Sequence, residues 1–569
     1  MCSRGGIVRY LAGIFLVFFL VSNLQGEVGR AGGTLVISEH SEPKTLNPLM
    51  AADTPSKTIV GLTSADLIHI NRYTQRTEPA LAKSWTASPD GRHYTLYLRH
   101  GVRFSDGSPF NADDVIFSWN AYLDEKTHSP QRDLLIISGK PITVRKIDEY
   151  TVEFTLAQPY AAAERLFDSI AMLPRHLLQP RYEQGTLAEA WGLGAHPEEI
   201  AGLGPFRFKA YVPGQRIVLE RNPYYWKKGP NGQALPYLDS IVSIFAANAD
   251  AEALRFDAGD TDMVSRLSAA DYDVLRKDEE RRHFHLYDLG PGLEDDFLFF
   301  NQNATSQASM PGLSQKQSWF RQVAFRRAIS SAIDRADIVR LAYRGRAYPL
   351  SSQASPGNKL WVDRQIPAPV HSVEQARRLL SHCGFKWRQD GSLADSRGNP
   401  VNFSILVNAG NPQQVEAATL IQNDLKELGI GVSLDQVEFH TFLNRIFTSY
   451  KYEAALMRLA DGDADPNSEL NVLTSNGSAH VWCLKPAGPP PSWQRDLDRL
   501  MQEQLTAMNY PERKRIYDRV QQILWENAPV IYLISPHILV GAKDRVGNFR
   551  PAILGTYTLW NAEQLFIRQ

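Results

Sequence analysis

Alternation of apolar and polar residues marks five stretches of the chain as strands. The first is 34–38, Thr-Leu-Val-Ile-Ser. In 94–99, Tyr94, Leu96 and Leu98 alternate with Thr95, Tyr97 and Arg99, and in 151–156 Val152, Phe154 and Leu156 keep the same period. Residues 206–211 and 216–220 complete the set. A period of two turns one face of each strand inward. The turn pairs Asp90-Gly91 and Asp106-Gly107 punctuate the early strands. Further on the period becomes helical. Phe325, Ala328, Ile329 and Ala332 form one stripe, and Ala418, Ile421, Leu425 and Leu428 another, ended by Gly429. Trp493, Leu497, Leu500, Met501, Leu505 and Met508 make a third. Pro511 opens a fourth, carrying Ile516, Val520, Ile523 and Leu524. An earlier helix is predicted after Asn111, a cap residue with Asp114 three positions on and Val115, Trp119 and Tyr122 sharing a face. Strands concentrated in the first half and helices in the second predict an α/β protein.

The start of the chain changes the picture of where it works. Arg4 and Arg9 precede an apolar run, 10–21, and a small residue, Gly26, follows: residues 1–26 read as a cleaved secretory signal. The run falls short of the roughly 20 residues a bilayer span needs. Cys2 lies ahead of the apolar run, so it is not a lipoprotein cysteine, and a soluble periplasmic protein is expected. Without the signal the chain has 59 basic and 62 acidic residues, a formal charge of −3. That balance excludes nucleic acid as the expected partner and offers no polybasic membrane patch. About 540 residues exceed a single core, so two or three domains are expected. Cys383 and Cys483 remain, and the sequence leaves open whether they pair. No G-x-S-x-G, H-E-x-x-H, C-x-x-C or phosphate-binding glycine loop occurs, and the fourteen histidines show no zinc spacing. Neither catalysis nor a cofactor or metal is expected.

The segment 79–118, P-A-L-A-K-S-W-T-A-S-P-D-G-R-H-Y-T-L-Y-L-R-H-G-V-R-F-S-D-G-S-P-F-N-A-D-D-V-I-F-S, resembles the signature of family 5 extracytoplasmic solute-binding proteins, the dipeptide-, oligopeptide- and nickel-binding subunits of ABC importers. Further blocks carry the resemblance: Gly202-Leu203-Gly204-Pro205-Phe206, Gly214, the run 221–226, Gly259-Asp260-Thr261-Asp262, Phe300-Asn301, and the helical stretches 325–335, 421–430 and 513–529. The resemblance implies a two-lobed periplasmic binding protein fold with an extra inserted domain and a hinge between lobes. Mapped here, lobe I comprises 27–55, 201–292 and 530–569, the inserted domain 56–200, and lobe II 293–529. The hinge is crossed near 291–296 and 527–533. It further implies a monomer that captures a short peptide in a closing cleft and delivers it to an inner-membrane permease and ATPase complex. The alternatives are a non-peptide solute (an oligosaccharide, metal chelate, haem or other small molecule) and a sensor subunit without transport.

Candidate chemistry centres on 461–469, Asp-Gly-Asp-Ala-Asp-Pro-Asn-Ser-Glu. A calcium loop requires Gly at its sixth position and a bidentate Glu at its twelfth, where this chain has Pro466 and Val472. In peptide-binding relatives, the resemblance implies, an aspartate four residues before the proline of an Asp-Pro pair holds the peptide's α-ammonium group. Asp465-Pro466 matches the pair, but Gly462 takes the anchoring place, with Asp461 and Asp463 on either side. Both are candidates, and helix capping is their structural alternative. Trp361 and Trp482 offer aromatic faces to a cleft, against ordinary packing. Ser38, Glu39 and His40 end the first strand, where α/β sheets bind ligands. Lys359 and Arg346 are candidates for a ligand carboxylate.

Overall fold

The computed structural model describes residues 28–168, 170–304, 310, 312–460 and 463–568. The expected signal and Asp461 lie outside them. The first strand, β1 (Thr34–Glu39), is followed by a four-stranded group: β2 (Ala82–Ala87), β3 (His93–Leu98), β4 (Thr143–Asp148) and β5 (Thr151–Thr155). Next come β6 (Phe206–Val212), β7 (Arg216–Arg221), β8 (Ser240–Phe245), β9 (Met263–Val264), β10 (Phe284–Pro291) and β11 (Asp295–Phe300). The later strands of the large sheet are β12 (Ala347–Pro349), β13 (Asn402–Asn408), β14 (Gly431–Val437), β15 (Ala454–Leu459) and the long β16 (Val530–Lys543). Strands β2, β3, β5 and β4 form one antiparallel sheet, in that order. A second, mixed sheet runs β6-β7-β8-β1-β9-β16-β11-β15-β13-β14, with β10 and β12 also paired to β16.

β16 is the element that joins two halves. Its first residues pair with β11, Val530 opposite Phe299 and Tyr532 opposite Phe297. Ser535 and Pro536 pair with β12, and from His537 onward the partner is β10. The change of partner falls at 534–537. A single strand thus threads both halves of the sheet, and residues 292–294 link β10 to β11.

Alternation explains where the cores sit. Every residue of β11 is buried. Leu298 and Phe300 pack with Phe325, Ile329 and Ile421, whereas Phe297 and Phe299 pack with Trp361, Met501 and Val520 on the other side. Side chains of successive strand residues point to opposite faces, so this strand needs helices on both. Each such side chain contributes about 1.5–3 kcal/mol by leaving water. The predicted helices supply those faces as Val323–Ala332, Pro412–Glu427, Ser492–Thr506 and Tyr510–Asn527. Gly429, at φ +77°, ends the second of these, and a Cβ there would lie 2.2 Å from the Gly391 carbonyl oxygen.

Asn111 caps Ala112–Leu123 through a capping box with Asp114. One stripe is shorter than the sequence indicates: the helix stops at Thr506, and Met508 lies in the connection, 43% exposed. Asn509 caps the next helix by accepting from the Glu512 N–H, so the chain reorients before Met508 can join the buried stripe. Cys383 and Cys483 carry free thiols. Among the described residues no helix is long and apolar enough to cross a membrane.

Candidate functional site

Where the chain crosses between the halves, three acids in succession open β11. Glu294 is salt-bridged to Arg266 and accepts from the Tyr557 hydroxyl at 3.4 Å. Burial would raise the Glu294 carboxyl, but Arg266 outweighs it and holds the group below its ordinary value. Asp296 accepts from Arg458 at 2.7 and 3.0 Å, from the Tyr343 hydroxyl, and from Gln414 at 3.1 Å. These bonds stitch side chains from before residue 270 and after residue 550 to the helix-rich second half.

The loop after β15 continues this polar seam. Asp465 caps the 3-10 turn Pro466–Glu469, accepting from the Asn467 N–H at 3.0 Å. The same carboxylate receives both terminal nitrogens of Arg513, at 2.6 and 2.7 Å, with both side chains almost fully buried. Arg513 in turn lies 4.9 Å from the centroid of Trp361 and donates to Gln504. Buried paired charges of this geometry fix orientation, because neither partner can leave without stranding the other. Asp463, two residues earlier, points across the molecule. It forms a salt bridge with Arg165, a residue 298 positions away that also donates to the Gln75 carbonyl at 3.0 Å. Around this bridge, Gln75 Nε2 donates to the Gly357 carbonyl, the Lys359 N–H to Gln75 Oε1, and Asn358 Nδ2 to the Ala464 carbonyl. Ile70, Leu293, Ala464 and Leu554 form a small apolar cluster beside it.

The loop also borders a cavity of about 100 Å³. Its wall includes Asp295, Phe297, Ser468, Glu469, Trp482 and Tyr532. Three aromatic rings in so small a space suit a single apolar group of side-chain size. His480 packs 3.9 Å from the Trp482 ring, and burial lowers its imidazole to about 4, leaving that neighbour neutral at physiological pH.

Of the residues expected at the site, Asp463 lies in this loop and pairs with Arg165, and Trp482 lines the cavity that the loop borders. The aromatic face expected of Trp361 is used in packing instead. It sits edge-on to Tyr510 and Tyr517 and is covered by Arg513; Trp482, 2% exposed, is at least as deeply buried and differs only in lining the cavity. Ser38 and Glu39 end β1 opposite Ile244 and Phe245 of β8, with exposed His40 next; none of the three lines the cavity. Burial, then repulsion from Glu252, raises Glu39 to about 7. Lys359 donates to the Tyr73 carbonyl at 3.0 Å, and Arg346 is salt-bridged to Asp273 at 2.7 Å. Residues missed in the sequence are Arg165, Arg513, Glu294, Arg266 and Arg458. Only Glu294 had a signal, since three acids starting a strand that is otherwise all Phe and Leu demand buried partners.

One further grouping has metal-ligand spacing among the described residues: Asp66, His69 and Asp168. Arg72 occupies one oxygen of Asp168 at 2.9 Å and the Ile70 N–H the other at 2.6 Å, so the cluster is already satisfied as an ion-pair network. Burial opposes the charged ring of His69, but hydrogen bonds to Asp168 and Asp66 overcome it and lift His69 to about 9. Burial likewise lifts Asp66 to about 6. A raised histidine contributes its full stability below 6.5 and loses it as pH rises through 9; a raised carboxyl also loses its contribution as pH rises, through 6. Both therefore favour acid over alkali. The expected outcome is a thermal midpoint that falls between pH 6.5 and 9.5, reflecting roughly 3 kcal/mol from His69. His69→Gln flattens that slope, and an unchanged slope in the variant contradicts the assignment.

Residues 76–480 match the family model described as bacterial extracellular solute-binding proteins, family 5 Middle. The chain is 27% identical to a probable ABC transporter-binding protein of Deinococcus radiodurans, over 94% of this chain and 92% of that one. It is 24% identical to the oligopeptide-binding protein AppA of Bacillus subtilis, over 91% and 89% of the two chains. A solved ABC transporter substrate-binding protein, CtaP from Listeria monocytogenes, superposes with a TM-score of 0.77 at 23% identity, covering 95% of this chain and 100% of that one. This likeness assigns the two-lobed periplasmic binding protein fold.

Proposed function

The chain belongs to family 5 of the bacterial extracellular solute-binding proteins, substrate-binding subunits of ABC transporters, and from that membership we propose that it captures a short peptide at the seam between its lobes. The family places it outside the cytoplasm with a small solute and a membrane transporter as partners. For this chain we propose export by residues 1–26, a monomer without catalytic activity, and delivery to an inner-membrane permease and ATPase. Lobe I is taken as 27–55, 201–292 and 530–569, lobe II as 293–529, and 56–200 as the inserted domain.

The observation that carries the peptide reading is the posture of the 463–469 loop. Arg513 clamps it from behind through Asp465, while Asp463 extends toward the opposite side and already holds a cation, Arg165. A peptide's α-ammonium group is the same kind of partner, and in a desolvated seam it forms a much stronger bond than on a surface. Binding by the ammonium group displaces Arg165 from Asp463. The adjoining cavity beside Trp482 then takes one side chain, and loop backbone groups pair with the peptide main chain. The oligopeptide-binding name of the Bacillus subtilis relative supports the same choice. Ser38, Glu39 and His40, at the carboxyl end of β1, are proposed to face the far end of the ligand.

A non-peptide solute is the second reading, and Arg165 favours it specifically. With Asp463 neutralised by this side chain, a ligand without an amine meets no uncompensated carboxylate at the seam. Lobe closure tests the binding reading in either form. X-ray scattering at saturating di- to pentapeptide mixture is expected to give a smaller radius of gyration than the peptide-free protein; no compaction contradicts closure around peptide.

A further inference from the structure

A second cavity, of about 530 Å³, has no part in the seam just described. Its walls come from His69, Asn71, Glu78, Pro79 and Arg99 on one side and from 226–228, Leu235 and the 550–564 stretch on the other. No residue between 293 and 529 contributes, so closure of the second lobe would not enclose its occupant. Four arginine and lysine side chains line it: Arg99, Lys227, Lys228 and Arg550. Two carboxylates face them. Glu563 holds Lys227 at 2.9 Å, and Glu78 accepts from Asn71 Nδ2 at 2.9 Å. Arg99 donates to the Ala80 carbonyl at 2.7 Å, and its guanidinium lies 4.8 Å from the Trp226 ring centroid. Among the described residues, Arg99, Lys228 and Arg550 have no ion-pair partner. In the same walls, among the described residues, one buried donor, Trp226 Nε1, lacks a hydrogen-bond partner.

We propose that this cavity is a second ligand site, for a small organic anion bearing carboxylate or phosphate groups. Like charges gathered around one concave space repel one another, and an anion among them converts that repulsion into charge-assisted hydrogen bonds. The volume falls in the range of small-molecule sites, and the Trp226 and Trp560 rings provide the apolar wall such sites have. Arg and Lys together recognise either anion chemistry, Arg through its planar fork and Lys as a point charge. An occupant would bridge the segment around Arg99 to the carboxyl-terminal segment around Arg550, and so stabilise the fold by mass action. The site does not depend on the peptide reading.

Calorimetric titration of the purified protein with citrate and, separately, with pyrophosphate tests it, using sodium chloride of equal ionic strength and glycerol as controls. Saturable binding of one or both anions, with a rise in thermal midpoint, is expected; which anion binds distinguishes carboxylate from phosphate recognition. The Lys228→Gln/Arg550→Gln double variant is expected to bind at least tenfold more weakly. Circular dichroism confirms that it is folded, and Asp463→Ala is expected to keep native anion affinity. Failure of both anions to bind, native affinity in the double variant, or loss of anion binding in Asp463→Ala would each overturn the proposal.

Discussion

Replacing Arg513 with Met is expected to lower the stability of the protein by about 3–5 kcal/mol, the usual consequence of leaving one member of a buried ion pair alone. Asp465 is 5% exposed and is embraced by both terminal nitrogens of Arg513, so no solvent stands ready to replace them. The variant also removes the cation above Trp361 and the donor to Gln504. Adding Asp465→Asn to Arg513→Met is expected to recover more than half of the loss, since the stranded charge is then gone. Urea unfolding midpoints of the two variants check this; equal destabilisation in both would assign the effect to packing rather than charge. Because Asp465 caps the turn Pro466–Glu469, the same variants are expected to disorder the loop that carries Asp463.

The second large effect concerns binding. Asp463→Ala is expected to weaken a tripeptide with a free amino terminus at least tenfold, about 1.4 kcal/mol. Its N-acetylated counterpart, which has no ammonium group, is expected to bind both proteins alike. Arg165→Met removes the side chain that competes for the same carboxylate and is expected to tighten the free tripeptide. Titration calorimetry with the two ligands gives the answer; equal weakening of free and acetylated tripeptide by Asp463→Ala would show that the aspartate acts through its bridge to Arg165 alone. Asp461→Ala, tested in parallel, separates the two candidates that the sequence left open.

Local patterns carried most of the fold. The alternation in 94–99 became His93–Leu98, and Asn111 with Asp114 closed the capping box their spacing suggested. The stripe at 418–428 lies on Pro412–Glu427 and its end. Failures came where neighbours distant in sequence decide. Nothing local distinguishes an aspartate aimed at solvent from one paired 298 residues away, and so Arg165 was invisible. Trp361 and Trp482 looked alike as isolated tryptophans; one is roofed by Arg513, whereas the other walls a cavity. The stretch 530–543 is nearly continuous in apolar residues, which marks it as buried. The sequence could not reveal that its partners change at 534–537, because register belongs to the sheet and not to the strand.

The central claim, that the seam beside the 463–469 loop captures short peptides, is tested most directly by native mass spectrometry of the purified protein. Emptied by unfolding and refolded, it would be offered a mixture of di- to pentapeptides with free and acetylated amino termini. The expected spectrum shows one peptide per chain, free termini preferred, and that preference lost in Asp463→Ala. A folded protein that retains no peptide from the mixture would contradict the claim and turn the same seam toward a solute without an amine.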